Sequence, residues 1–292
     1  MNVLAQAAPA KLNLHLGIHA TLDERRYHRA ESLMVALDVC DEVRLCEDAS
    51  LVEPAVVCDP PVGIPAEQNT AYRAAVALAK RFGKTPAARI DIRKVVPDQS
   101  GMGGSSSDAA AVLRLLCNAW CIDVADPRVA DAARSVGADV PFFLDPVPTL
   151  LVGAGDVVAQ KFPRLSDPVP VVLVRPLGPG ISTKVAYAAF DECHEQPADP
   201  DPLCELLRSG CAGPQELAQH LANNLDPIAC RLLSGVAEVR DWLLAQDDVL
   251  GGQVTGSGSC VFGICATDDA ATRVADAAHM RFGGWSRAAH IV

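Results

Sequence analysis

The sequence predicts an α+β fold, and three observations carry the prediction. Alternating runs mark strands: Leu12, Leu14, Leu16 and Ile18 point one way while Lys11, Asn13, His15 and Gly17 point the other. Ala88, Ile90 and Ile92 alternate with Arg89, Asp91 and Arg93 in the same manner. Helical spacing appears elsewhere, as in Ala109, Ala110, Val112, Leu113, Leu115 and Leu116. The two kinds of segment follow one another irregularly, with neither a clean βαβ alternation nor an internal repeat.

Taken in order, the first strand is followed by a second strand-like piece around Val43-Arg44-Leu45. A turn-rich stretch with Pro54, Pro60, Pro61, Gly63 and Pro65 comes next. Residues 69–82 read as a helix, with Thr70 near its start and Gly83 just past its end. Residues 127–136 read as another that stops at Gly137, and residues 169–174 as a buried strand. The stretch 191–214, rich in Pro, Asp and Cys, reads as loop with a short helix. Residues 215–225 and 228–245 look helical, and 270–282 is a final amphipathic helix. Pro163, Pro168 and Pro170 cluster, which sets an expected boundary near 165 between domains 1–165 and 166–292.

Composition narrows the class. At 292 residues, half of them hydrophobic, the chain can bury a large core as one large or two ordinary domains. Its 25 basic and 36 acidic residues give a net charge of −11, with no basic cluster, a poor match to nucleic-acid binding by phosphate neutralisation. No apolar run approaches the roughly 18 residues of a membrane span. The N-terminus lacks the basic region of a signal peptide, so a cytoplasmic protein is expected. Eleven cysteines without a Cys-x-x-Cys pair argue against a zinc ribbon or a thioredoxin-like site. Buried free thiols in a reducing compartment are the expectation.

The most informative stretch is Pro97-Asp98-Gln99-Ser100-Gly101-Met102-Gly103-Gly104-Ser105-Ser106-Ser107. It joins the strand over 88–93 to the helix that carries Ala109 to Leu116. A helix N-terminus offers unpaired N–H groups and a positive dipole end, and small side chains let an anion reach them. The serines can cap the helix or reach a phosphate or metal. The plain alternative is a Gly-Ser loop that only ends a strand and caps a helix. A Walker loop is excluded: Gly83-Lys84-Thr85 has Leu78 where the earlier glycine belongs. A dinucleotide fingerprint read from Gly101 finds Ser106 at its third glycine. A second small-residue loop, Thr255-Gly256-Ser257-Gly258-Ser259, leads into the apolar run 260–265 and alone reads as a turn before a buried strand.

Three more places could carry chemistry. Lys11 lies on the polar face of the first strand, where most lysines are simply solvated. Asp139 sits in Gly137-Ala138-Asp139-Val140-Pro141, a stiff turn beside an apolar run. A capping or turn aspartate is the plainer reading of it. Tyr27-His28 follows the charged Asp23-Glu24-Arg25-Arg26, an aromatic–imidazole pair suited to a ligand or present by chance in a surface loop.

Together, Pro9-Ala10-Lys11-Leu12-Asn13-Leu14, Tyr27-His28, the stretch 97–110, Gly137-Ala138-Asp139-Val140-Pro141 and the loop 255–262 resemble the GHMP superfamily of small-molecule kinases. The resemblance spans nearly the whole chain. Its opening motif and the Gly137 to Pro141 motif are similar to those of the members that phosphorylate CDP-methylerythritol in the non-mevalonate isoprenoid route. It implies a two-domain GHMP kinase fold: an N-terminal domain like domain 2 of ribosomal protein S5, and a ferredoxin-like C-terminal domain. ATP and the alcohol would lie between the two.

By the same resemblance, Asp139 would take the proton from the substrate hydroxyl as it attacks the γ-phosphate of ATP. Lys11 would keep that aspartate ionised and offset charge on the phosphoryl group in flight. Residues 97–107 would wrap the ATP phosphates, bridged by Mg²⁺. Tyr27 and Tyr187 would sandwich the cytosine, His28 would bond its edge, and Asn13 would contact the erythritol. The expected partners are the small-molecule substrate and ATP alone, in a monomer or weak homodimer that binds neither nucleic acid nor membrane. Such a division of labour suits phosphoryl transfer, which needs mainly positioning and charge stabilisation.

The sequence departs from the family pattern in several places. Gln99, Ser100 and Ser105 stand at small or glycine positions, Met102 replaces leucine, and Arg26 stands where glycine precedes the Tyr-His pair. If those glycines supply positive φ, Gln99 and Ser105 strain or reshape the loop. Two other readings are a GHMP kinase for a different alcohol and a non-catalytic nucleotide-binding homologue. Tyr27, His28 and Tyr187 count against the first, Lys11 and Asp139 against the second.

Overall fold

The computed structural model describes residues 3–292. Two compact units divide the chain, and neither is continuous in sequence. One holds the stretch ending at Ala10 together with Val39–Asp98 and Gly103–Pro146; the other holds Lys11–Asp38, Gln99–Met102 and Val147–Val292. Two long strands, β1 (Val3–Leu22) and β2 (His28–Glu47), each contribute to both units.

In the first unit, β3 (Ala55–Asp59) runs parallel to β4 (Ala88–Arg93). On its other side β4 pairs antiparallel with β2, from Glu42 opposite Arg93 to Glu47 opposite Ala88. β3 lies inside the proline-rich stretch, where the sequence showed only turns. Four helices complete the unit: α1 (Thr70–Phe82), α2 (Gly104–Ala119), α3 (Pro127–Val136) and α4 (Val140–Phe143). The start of α1 is fixed by Asn69, whose side chain accepts from the Ala71 amide at 2.9 Å, and its end by the left-handed Gly83. Ala71, Ala74, Ala75, Leu78 and Ala79 form its buried stripe. Burying a side chain such as Leu78 contributes about 1.5–3 kcal/mol.

The second unit contains β5 (Thr149–Val152), β6 (Val157–Lys161), β7 (Val169–Arg175), β8 (Ala222–Asn223), β9 (Val249–Val254), β10 (Val261–Cys265) and β11 (Trp285–Ile291). Its helices are α5 (Thr183–Glu192), α6 (Asp201–Arg208), α7 (Pro214–Gln219), α8 (Asp226–Leu232), α9 (Ser234–Leu244) and α10 (Asp268–Phe282). The spatial order β11-β7-β10-β9, antiparallel throughout, is that of a ferredoxin-like sheet. Its core joins Val172 and Val174 of β7 to Val236, Val239 and Leu243 of α9 and Val274 and Ala278 of α10.

Two sequence expectations change here. The helix read over 228–245 is two helices, broken at Leu233 (φ −136, ψ 109). The helix read over 215–225 ends at Gln219 and gives way to β8, which runs parallel to β1. The cysteines are free, as expected, but Cys121, Cys193 and Cys211 are exposed rather than buried. Among the described residues, no helix is long and apolar enough to cross a membrane.

Candidate active site

Both faces of β1 are buried between residues 11 and 18, so the polar face read from the sequence is not a solvated one. Lys11 is 2% exposed and Asn13 1%. Burial at that level demands partners. Lys11 Nζ donates to Asn13 Oδ1 at 2.5 Å, and Asn13 Nδ2 donates to Ser32 Oγ of β2 at 2.8 Å. The Asn13 amide donates to Thr255 Oγ1 at 3.2 Å, and Gln253 Nε2 donates to the Asn13 carbonyl at 3.1 Å. His15 continues the run; burial holds its pKa below the ordinary value, and its Nε2 has no hydrogen-bond partner.

The two small-residue loops meet. The Lys11 amide donates to the Met102 carbonyl at 3.0 Å, the Ser259 amide to Gln99 O at 3.3 Å, and the Cys260 amide to Ser100 O at 3.0 Å. A β-carbon on Gly101 (φ 78) would fall 2.1 Å from the Thr255 carbonyl oxygen, so only glycine fits. The loop at 255–259 is therefore a partner of the first loop and not merely a turn before β10. Its density of glycine and serine was the available signal.

The departures at Gln99 and Arg26 have a visible consequence. Both take left-handed backbone, with φ of 50 and 66. Ser105 does not: it lies within α2, where ordinary helical geometry suits it. Nor do the serines cap that helix. The N-cap is Gly103 (φ 72), without a side-chain capping bond, and Ser105, Ser106 and Ser107 fill the first turn.

Within the first unit, Pro97 is half-buried and Asp98 exposed at the end of the segment that follows β4. A buried ionic cluster that sequence reasoning missed fixes the neighbouring residues. Lys94 Nζ bonds Asp41 Oδ2 at 2.5 Å and Asp108 Oδ2 at 2.6 Å. Asp41 Oδ1 also accepts from the amides of Val95 (2.5 Å) and Val96 (2.8 Å). Burial pushes the Asp108 carboxyl up to about 7, against the pull of Lys94 and with the repulsion of Asp41. Burial also works against the Lys94 ammonium, but the two carboxylates outweigh it and raise its pKa. The cluster thus ties α2 to β2 and to the residue that follows β4. A β-carbon on Gly104 would lie 3.0 Å from Val96 Cγ1 and 3.5 Å from Lys94 Nζ.

Asp139 occupies the position before α4 (φ −77, ψ −16), half-buried, without a side-chain capping bond. The turn that carries it lies near the first turn of α2, since a β-carbon on Gly137 would be 3.8 Å from Ser106 Oγ. A carboxylate and a helix N-terminus with its dipole therefore share one region of this unit.

In the second unit, His28 is buried and held at both ring nitrogens. Nδ1 donates to the His19 carbonyl at 2.8 Å, and Nε2 lies 3.0 Å from Asp191 Oδ1. Its ring meets that of Tyr187 of α5 at 5.6 Å and the edge of Phe190 at 5.5 Å. Tyr27, by contrast, is 60% exposed, with the Arg25 guanidinium 5.5 Å from its ring centroid. The site residues expected from the sequence thus fall into three groups: Lys11 and Asn13 with residues 99–102, Asp139 with the first turn of α2, and His28 with Tyr187.

The model of the GHMP kinase N-terminal domain matches residues 69–145, and that of the GHMP kinase C-terminal domain matches residues 205–282. The chain belongs to the GHMP kinase family. Among its relatives is the 4-diphosphocytidyl-2-C-methyl-D-erythritol kinase of Desulfitobacterium hafniense (strain Y51), 34% identical over 94% of this chain and 91% of the relative. The kinase of that name from Citrifermentans bemidjiense is 34% identical over 99% of both chains. A crystal structure of 4-(cytidine 5'-diphospho)-2C-methyl-D-erythritol kinase superposes with a TM-score of 0.77, at 30% identity over 98% of both chains. A crystal structure of L. major mevalonate kinase in complex with R-mevalonate shares the fold at a TM-score of 0.71 and 15% identity, covering 99% of this chain and 95% of that one.

Proposed function

We propose that this protein transfers the γ-phosphoryl group of ATP to the 2-hydroxyl of 4-diphosphocytidyl-2-C-methyl-D-erythritol, a step of the non-mevalonate route to isoprenoid precursors. One observation carries the reading: likeness along 94% of the chain to a kinase named for that substrate. In this reading Asp139 accepts the hydroxyl proton as the oxygen bonds the γ-phosphorus and the bond to ADP breaks. Lys11 offsets charge on the phosphoryl group. Asn13, oriented by Lys11 and Ser32, holds the erythritol portion. Residues 97–107 receive the ATP phosphates, with the first-turn N–H groups of α2 as donors.

Tyr27 and Tyr187 flank the cytosine. The His28 ring stays anchored through Nδ1 on His19, and its Nε2 meets the base edge in exchange for Asp191. Mg²⁺ neutralises the phosphate oxygens when bound. Ser107 Oγ, buried without a hydrogen-bond partner in the first turn of α2, fits as one of its oxygen ligands. Among the described residues, no group of three or more His, Cys, Asp or Glu is arranged to hold a metal.

The same reading takes the protein as a cytoplasmic monomer or weak homodimer that binds neither nucleic acid nor membrane; the net charge of −11 supports the exclusion of nucleic acid. The reading keeps a domain boundary near 165, between the family-model matches over 69–145 and 205–282, whereas the compact units of the structure part at Pro146–Val147. A coupled assay of ADP release tests the function. Release that depends on the cytidyl substrate is expected. Release with mevalonate or homoserine instead would assign another alcohol, and no release with any of them would mark a nucleotide-binding homologue.

A further inference from the structure

The turn that carries Tyr27 is held by charges that phosphoryl transfer does not use. Asp23 Oδ1 accepts from the amides of Arg25 and Tyr27, both at 2.9 Å, and the Asp23 amide donates to the Tyr27 carbonyl at 2.7 Å. Arg25 Nε reaches Asp23 Oδ2 at 2.9 Å. The two terminal nitrogens of Arg25 fork onto Asp156, at 2.7 and 3.2 Å, 131 residues further along the chain.

Asp156 is the fixed end of this arrangement. Its side chain is 7% exposed, and its Oδ1 also accepts from the Ala154 amide at 3.1 Å in the turn between β5 and β6. That turn is joined to β2, since the Ala30 amide donates to the Gly153 carbonyl at 2.8 Å. The Arg25 bond holds the Asp156 carboxyl below its ordinary pKa, and the Tyr27 amide does the same for Asp23. Both carboxylates therefore stay ionised at neutral pH.

An exposed ion pair alone holds little. A bidentate fork onto a buried, hydrogen-bonded carboxylate adds fixed geometry. The guanidinium also covers one face of Tyr27, leaving the opposite face for a base. An aromatic ring ordered before the ligand arrives loses less freedom on binding.

We propose that Arg25, braced by Asp156 and Asp23, is a positioning residue that presents Tyr27 to the cytidyl group and so sets affinity for that substrate. This rests on the reading in which Tyr27 stacks on cytosine. Arg25→Ala and Asp156→Asn should each raise KM for the cytidyl substrate about 2- to 10-fold, the effect of ordering one side chain. The kcat value and KM for ATP stay near those of the parent. Arg25→Lys, which keeps the charge but not the fork, should fall between. Hydrogen exchange at the Tyr27 amide should speed up in the same order.

A double-mutant cycle completes the test: in a Tyr27→Ala background, Asp156→Asn should add no further increase in KM. An equal increase in that background would overturn the proposal, as would unchanged KM and exchange in Arg25→Ala. If Tyr27→Ala alone leaves KM unchanged, the cytosine reading falls and the proposal with it. If Tyr27→Ala raises KM and Asp156→Asn does not, the proposal alone falls.

Discussion

Gln99 leaves no room for a side chain at Gly180: a β-carbon there would fall 2.3 Å from the Gln99 β-carbon and 2.5 Å from its carbonyl oxygen. The left-handed turn at Gln99 and the bare backbone at 180 therefore depend on each other. Gly180→Ala should cost about 1–3 kcal/mol by overpacking. Gln99→Gly relieves about 1–2 kcal/mol of left-handed strain while freeing the unfolded chain by about 0.4–1 kcal/mol, for a small net gain. Ser105→Gly, inside α2, should lose about 0.5 kcal/mol. Urea denaturation of the three variants reads all of these. A Gln99→Gly variant less stable than its parent would mean that the glutamine side chain contributes more than its strain costs.

On the proposed mechanism, Asp139→Asn keeps the shape of the side chain but removes the proton acceptor. Its kcat should drop by about 10²–10⁴-fold with ATP affinity retained. Single-turnover kinetics with a binding measurement on the same variant check this, and near-normal turnover in a folded protein removes Asp139 from the mechanism.

Tyr27→Ala and Tyr187→Ala should each weaken the cytidyl substrate by about 1–3 kcal/mol, the range for a base stacked on an aromatic ring. ATP affinity should hardly change. Calorimetric titration with each ligand separates the outcomes: equal weakening of both would assign the two rings to the fold.

Asp108 predicts a pH dependence of stability. Its folded pKa, about 7, lies above the ordinary 3.8, so between those values the native state holds a proton that the unfolded chain releases. The contribution of this group is full below about pH 4 and is lost as pH rises through 7. Asp108→Asn cannot titrate. Its stability relative to the parent should therefore improve between pH 5 and pH 8, by about 1–3 kcal/mol. A constant difference across that range in denaturant melts would show that Lys94 keeps Asp108 ionised throughout.

Local signals account for what was legible in the sequence. β4 and α3 fall where the alternation over 88–93 and the run from Pro127 to Gly137 place them, because capping, periodicity and stop signals act within a few residues. β3, β5, β6, β9 and β11 escaped notice. Their residues are strands because of the neighbours they pair with, as Trp285–Ile291 does along β7, and no short-range pattern encodes that pairing. The break at Leu233 carries no proline or glycine of its own to announce it.

The candidate site follows the same rule. Residues 97–107 and Asp139 stood out through motif and turn chemistry. Lys94, Asp41 and Asp108 did not, since a lysine and two aspartates look like surface charges until the fold buries them together. The loop that begins at Thr255 was visible, but what Thr255 meets was not. Its contact with Asn13 spans 242 residues, beyond the reach of any local pattern.

That separation also fixes when a growing chain can acquire its chemistry. Lys11 and Asn13 belong to a compact unit whose other members run to Val292. At translation rates of about 5–20 residues per second, the strand bearing Lys11 leaves the ribosome roughly 12–50 s before Thr255 emerges to receive the Asn13 amide. The lysine waits, still unplaced, while most of the protein is made. A chain that stalls before residue 255 can fold part of itself, yet the Asn13 amide is left without the hydroxyl that receives it in the finished protein.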